Sequence, residues 1–215
     1  MWSVCRLCGQ SLPSSARSAR VCTACYQDLP VTPPAVPLQI QQRHRTIDHV
    51  FCPYLYQSPV SNLIQQLKYH RHYSHARLLA WLFVCKLQEQ CTVIPEQVVP
   101  VPLHRHRLRH RGFNQSFELA RLVCAALQQK HVLHTEYCQR TRHTAAQTGL
   151  NRLERQQNLK DAFAVRHPLS CTHLVIFDDV LTTGSTIASL ARALKTAGAQ
   201  RVDVWVMAFA PLIEA

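Results

Sequence analysis

Leu174-Val175-Ile176-Phe177-Asp178-Asp179-Val180-Leu181-Thr182-Thr183-Gly184-Ser185-Thr186 is an apolar run that ends at two adjacent carboxylates and opens into a loop rich in hydroxyls. The run lacks period-2 alternation, as expected of a strand buried on both faces of a parallel sheet. Downstream, Ile187, Leu190, Ala191 and Leu194 recur at helical spacing, Gly198 supplies a stop, and Val202 to Phe209 reads as the next strand. The whole is a βαβ unit whose loop lies at the carboxyl end of a strand, where open α/β sheets bind ligands.

The atoms of that loop limit what it can hold. The hydroxyls of Thr182, Thr183, Ser185 and Thr186, with the N–H groups at the helix start and Gly184 to let the backbone approach, form a cradle for one phosphate monoester. The loop lacks G-x-x-x-x-G-K-[ST] and G-x-G-x-x-G, which excludes P-loop nucleotide hydrolysis and dinucleotide binding. Two carboxylates beside a phosphate repel it unless they face vicinal hydroxyls or Mg²⁺. A ribose 5-phosphate meets both demands. The segment resembles the phosphoribosyl pyrophosphate (PRPP) motif of type I phosphoribosyltransferases. That resemblance implies that Asp178 and Asp179 contact the ribose hydroxyls, and that Thr182, Thr183, Gly184, Ser185 and Thr186 hold the 5-phosphate.

A second feature lies at the other end. Cys5-x2-Cys8, thirteen intervening residues, then Cys22-x2-Cys25 presents four thiolates in two knuckles, a donor set for tetrahedral Zn²⁺. Two redox pairs, or disulfides in a secreted domain, are the competing readings; two knuckles within so short a segment favour the metal. Such a segment buries little apolar surface, so metal binding would supply most of its folding free energy, in the form of a small zinc ribbon. Cys52, Cys85, Cys91, Cys124, Cys138 and Cys171 show no paired spacing and read as packing residues.

The 215 residues accommodate one α/β domain and this appendage. The expected division is a ribbon over 1–29, a Pro-rich linker over 30–45 and the main domain over 46–215. Pro30, Pro33, Pro34 and Pro37 predict extended rather than helical geometry for the linker. Short strands are expected between Ile47 and Tyr56. A helix carrying Val60, Leu63, Ile64 and Leu67 should follow, closed by Lys68, and then another bearing Leu78, Leu79, Leu82 and Phe83. No secretory leader and no membrane span is expected, which points to the cytoplasm.

Lys and Arg number 24 against 12 acids, a formal net charge of +12 at pH 7, and this excess favours a polyanionic partner. It is shared in expectation between the ligand site and a nucleic-acid face. The densest basic run holds Arg105, Arg107, Arg109 and Arg111, directly after the strand Val98-Val99-Pro100-Val101-Pro102. It ends at Gly112-Phe113-Asn114-Gln115-Ser116, and a helix with Leu119, Leu122 and Val123 follows. Read as a loop, it opens on the same sheet edge as the aspartates, where it would meet a pyrophosphate or DNA. Arg140 to Asn158 reads as a mobile lid, with Arg142 and Gln147 as further site members, or else as an exposed helix without ligand contact. Tyr69, Tyr73 and Phe113 are candidates for stacking on bases, or else core residues.

Together, the four-cysteine ribbon, the Val-Pro-Val-Pro strand, Arg-Gly-Phe-Asn-Gln-Ser, the segment with Gln147, Arg155 and Asn158, and the Asp-Asp loop resemble the ComF/GntX family over nearly the whole chain. The family is linked to DNA uptake in transformation or to DNA as a nutrient. The resemblance implies a type I phosphoribosyltransferase-like fold, an α/β architecture with a mostly parallel sheet flanked by helices. It also implies cytosolic work with incoming single-stranded DNA, but no defined reaction. Some GntX-like members carry eight cysteine ligands; four are paired here, so one structural Zn²⁺ is expected. Three functions stay open. One is a PRPP-binding protein of DNA uptake. A second is an active transferase passing ribose 5-phosphate from PRPP, with Mg²⁺, to a nitrogen acceptor, Asp178 and Asp179 being its catalytic residues. The third is a zinc-ribbon adaptor for a competence helicase or recombination loader.

Overall fold

The computed structural model describes residues 4–13, 20–70, 72–90, 95–129, 132–141, 162–166, 169 and 171–211. Its strands are β1 (His49–Phe51), β2 (Tyr54–Leu55), β3 (Gln97–Pro100), β4 (Cys138–Arg140), β5 (Phe163–Val165), β6 (His173–Leu181) and β7 (Arg201–Phe209). The helices are α1 (Thr23–Gln27), α2 (Ala35–Arg43), α3 (Val60–His70), α4 (Tyr73–Glu89), α5 (Arg105–Arg111), α6 (Gln115–Ala126) and α7 (Ser185–Thr196). The central sheet runs β1-β7-β6-β3, with β2 continuing beside β7, and every pairing in it is parallel. A separate antiparallel pair joins β4 to β5.

Leu174, Val175, Ile176 and Phe177 are all fully buried, which explains their unbroken apolar character. Alternate residues feed two cores. On one face Val175 and Phe177 join α3, α4 and α6, where the Phe83 ring meets Phe51, Phe177 and Trp205 at centroid distances of 5.0, 5.3 and 5.9 Å. Burial of one such ring contributes roughly 1.5–3 kcal/mol. On the other face Leu174 and Ile176 meet α7, Ile40 of α2 and the β4–β5 pair.

The structure is an α/β fold with a parallel sheet flanked by helices, as expected, and it differs from the sequence reading in three places. The strand does not end at the aspartates, because Asp178 lies opposite Val206 and the ladder continues through Val180 and Leu181 opposite Ala208 and Phe209. The expected extended linker contains α2. Its prolines fall just before and inside the first turn, where a helix N–H has no partner to lose. The basic run is a helix, α5, rather than a loop. His104 Nδ1 accepts the His106 N–H at 3.2 Å, and Gly112 at φ +80° ends it in the left-handed conformation.

Cys5, Leu12, Val21 and Leu29 are buried in the same core as α3 and α4. Val4 bridges Ser11 around the first cysteine knuckle, and the second opens α1. Tyr26 of α1 meets the Trp81 ring of α4 edge-on at 6.3 Å and donates its hydroxyl to Glu89 at 2.5 Å.

Candidate functional site

Parallel pairing of β3 with β6 brings the chain after Pro100 to the same edge as the hydroxyl-rich loop, and the Val101 N–H bonds to the Phe177 carbonyl at 2.9 Å. Beyond β3, Asn114 fixes the start of α6. Its side-chain oxygen accepts from the N–H groups of Ser116 and Phe117, and its amide donates to the Val101 carbonyl at 3.0 Å. This cap aims the next two side chains across the sheet edge. Ser116 Oγ donates to Asp178 Oδ1 at 2.7 Å, and Gln115 Nε2 donates to Asp179 Oδ1 at 3.3 Å. Arg-Gly-Phe-Asn-Gln-Ser is therefore the support of the acid pair.

Asp179 is buried and forms an ion pair with Lys68, a residue of α3 that the sequence reading treated only as a helix end. Burial opposes its ionisation, but the Lys68 charge and the hydrogen bonds to it win and hold the Asp179 carboxyl below its usual range. Burial and the neighbouring Asp179 charge push Asp178 up to about 7, against the pull of Ser116 and of the Asp179 N–H, which reaches Asp178 Oδ1 at 2.9 Å. One carboxyl is thus committed to a lysine. The other is half-buried and poised to gain or lose a proton near neutrality.

The adjoining loop gathers the hydroxyls that the sequence singled out. Thr182 is exposed; Thr183, Ser185 and Thr186 are half-buried. Thr183 and Ser185 hydroxyls lie 2.9 Å apart, and Gly184 takes φ +76° just before α7. A Cβ on Gly184 would meet the His44 ring at 3.1 Å, and His44 Nε2 lies 2.8 Å from the Thr183 carbonyl oxygen. His44 follows α2 and clasps the loop from behind, a contact across 139 residues that no local pattern announces.

The arginines divide. Arg105, Arg107 and Arg109 are exposed on α5, whereas Arg111 is half-buried, donates to Gln115 Oε1 at 2.7 Å and lies 5.9 Å from the Tyr69 ring. Arg111 therefore reaches the acid pair through Gln115. Arg140 was expected in a lid. It instead ends β4, buried, 5.6 Å from the Phe163 ring. Burial and the Arg107 charge lower its affinity for its proton, and Asp178 raises it, which places all three within electrostatic reach. Arg142, Gln147, Arg155 and Asn158 lie outside the described residues, as does Cys91. Phe113 is core, while Tyr69 and Tyr73 are exposed.

At the far end, the four sulfurs of Cys5, Cys8, Cys22 and Cys25 lie within 4.8 Å of one another. Cys8 and Cys22 are 3.8 Å apart, close to the roughly 3.8 Å edge of a tetrahedron with zinc–sulfur bonds of about 2.3 Å. Burial would raise the Cys5 thiol, yet the N–H groups of Cys22, Cys8 and Leu7 aimed at its sulfur bring it down to about 6. Cys25, sharing protons with Cys22 and Cys8, is pushed up to about 12. Four sulfurs competing for protons at this spacing could hold a metal such as zinc. Cys52, Cys124, Cys138 and Cys171 are buried, and burial raises all four thiols, as in packing residues. No described helix is long and apolar enough to cross a membrane.

No family model matches the chain. Curated proteins do. It is 35% identical over 215 aligned residues to the DNA utilization protein YhgH of Escherichia coli, covering 96% of this chain and 90% of that protein. The protein of the same name from Salmonella typhimurium is 33% identical with the same coverage. Competence protein F of Haemophilus influenzae is 32% identical over 160 residues, 71% of this chain and 69% of its own length. The chain belongs to the ComF family. In this ComF-family chain the acid pair, its glutamine and serine support, and the hydroxyl loop occupy one edge of the sheet. The cysteine cluster occupies another part of the same core.

Proposed function

We propose that this chain binds PRPP with Mg²⁺ at the loop Thr182 to Thr186 and acts in DNA utilisation, in the cytoplasm. The observation that carries the reading is the pairing of an acid with a raised affinity for its proton, Asp178, with the hydroxyl-rich loop that follows the end of the same strand. The first turn of α7, whose Ser185 N–H reaches Thr183 Oγ1 at 3.4 Å, turns its N–H groups toward a 5-phosphate. Asp178 accepts hydrogen bonds from ribose hydroxyls, while Lys68 keeps Asp179 ionised and fixed so that the pair does not repel the phosphate as a double anion. Arg107 and Arg140 supply positive charge toward a pyrophosphate. Four cysteines with bound Zn²⁺ hold the N-terminal segment.

The DNA half of the proposal rests on the names of the relatives and on the net charge of +12. A thermal melt with and without PRPP and Mg²⁺ tests the ligand half. At a hundredfold excess over Kd the expected stabilisation is about 2.7 kcal/mol. That corresponds to a rise in Tm of roughly 5 °C or more for a chain of this size. Ribose 5-phosphate should give a smaller rise. A melt that PRPP leaves unmoved rules out the ligand reading.

A further inference from the structure

Helix α4 carries Tyr73, Arg77 and Trp81 at successive four-residue intervals, so the three stand on one face, each about 6 Å further along the axis. Tyr73 and Arg77 are exposed and Trp81 is half-buried. Beside them, the Arg6 N–H bonds to the Arg20 carbonyl at 2.9 Å, which brings both arginines of the cysteine segment to one place. A cavity of about 200 Å³ there is lined by Arg6, Arg20, His75 and Arg77. A second, of about 490 Å³, continues from Arg20 and Arg77 to Trp81 and the flank of α6. None of the ion pairs among the described residues engages Arg6, Arg20 or Arg77. At the other end of the stripe, the Tyr73 ring lies 5.9 Å from Phe113, next to the segment that supports the aspartates.

From this juxtaposition we infer that the groove between the cysteine segment and α4 is a track for single-stranded polynucleotide, with Arg6, Arg20 and Arg77 on the phosphates and Trp81 and Tyr73 as stacking surfaces. Cations alternating with flat aromatic faces are what a strand with unpaired bases requires; a duplex offers phosphates but no base faces. An acidic protein surface would use the arginines and leave the aromatic rings idle. Uncompensated guanidinium groups lining a concavity are costly to assemble against their mutual repulsion, and a polyanion relieves that cost. The track leads along α4 toward the aspartate edge, and its Tyr73 end meets Phe113 just beyond α5.

This inference rests on the DNA half of the proposed function, and one titration separates the two. Fluorescence anisotropy of a labelled oligothymidylate is measured with the full chain over a series of salt concentrations. Wild type, the Arg20→Gln/Arg77→Gln double variant, Arg77→Gln alone and Arg192→Gln, which removes one charge as Arg77→Gln does but at an exposed position of α7 across the sheet, are compared. Each phosphate contact removed should reduce the log–log salt slope by about 0.7, so the double variant loses about 1.4 and the Arg192 variant nothing. Strand binding should quench tryptophan emission in wild type and not in Trp81→Phe. Arg77→Gln alters one exposed side chain, so it still reports if the double variant fails to fold. Wild type that ignores the oligonucleotide would overturn the DNA reading itself. Wild-type binding with an unchanged slope in the groove variants, an equal loss in Arg192→Gln, or tighter binding to duplex than to single strand would overturn the track alone.

Discussion

The two ends of β6 and β7 each bury carboxylates, and they treat them differently. At the amino edge, Asp203 accepts from Arg201 at 2.8 and 3.0 Å and lies 2.9 Å from His173 Nε2, while exposed Asp48 pairs with Lys195 and accepts the Val202 N–H. Each acid there has its own cation. At the carboxyl edge the one ion pair among the described residues runs from Lys68 to Asp179, while Asp178 accepts from a hydroxyl and an N–H and lies within electrostatic reach of Arg140. A closed cluster stabilises the sheet; an acid without an ion pair of its own among the described residues, beside a loop of hydroxyls, is on the function proposed above the group that meets the ligand. Burial alone does not distinguish them. The direct ion pairs among the described residues do.

The largest effect that would break this comparison is expected from Lys68→Met. Removing the lysine leaves Asp179 buried and uncompensated, at a cost of about 3–5 kcal/mol in urea unfolding at pH 8. In wild type the lowered Asp179 value contributes stability that is present above its unfolded value of about 3.9 and is lost as pH falls through the folded one. Without Lys68 burial dominates, the folded value rises, and the sign reverses, so the deficit should shrink toward pH 5. A deficit independent of pH would show that Lys68 serves packing and not charge.

Asp203→Asn comes next, with an expected loss of about 1–3 kcal/mol from weakened bonds to Arg201 and His173. The thermal response to PRPP should stay intact. A response lost in this variant would mean that the amino edge is coupled to the loop and that the two ends are not independent.

Asp178→Asn should do least to stability and most to binding. The Asp178 value of about 7 exceeds the unfolded value of about 3.9, so its proton adds stability below pH 4 that disappears as pH rises to 7. The variant lacks that slope and at pH 8 should be as stable as wild type or on the order of 1 kcal/mol more so, with the PRPP response gone. Unfolding midpoints in urea from pH 5 to pH 8 check the first half, and thermal melts with PRPP the second.

Much of this edge was legible in sequence, because β6, its loop and α7 are contiguous and each carries its own period. The cysteine knuckles were legible for the same reason. What escaped is what reaches the edge from elsewhere. Lys68 looked like an ordinary cation in the last turn of a helix, and its partner lies beyond any helical period. His44 sits in a stretch where four prolines suggested extended chain, although prolines confined to the helix start are compatible with α2. Gly112 after the basic run was a stop signal that could have shown α5 as a helix. Gln115 and Ser116 were within a quoted motif, yet their task depends on Asn114 capping α6 toward β6, a matter of how two elements meet.

The burial of Cys5, Leu12 and Val21 in the core shared with Phe83 and Trp205 makes the cysteine segment a wedge in the main body and not a pendant on a string. Whatever holds its four sulfurs together also keeps water away from one face of the sheet. On the proposal that these sulfurs hold Zn²⁺, metal supply would enter the folding equilibrium of the main body as well as that of the cysteine segment, and a shortage of it would be felt as far away as the aspartates.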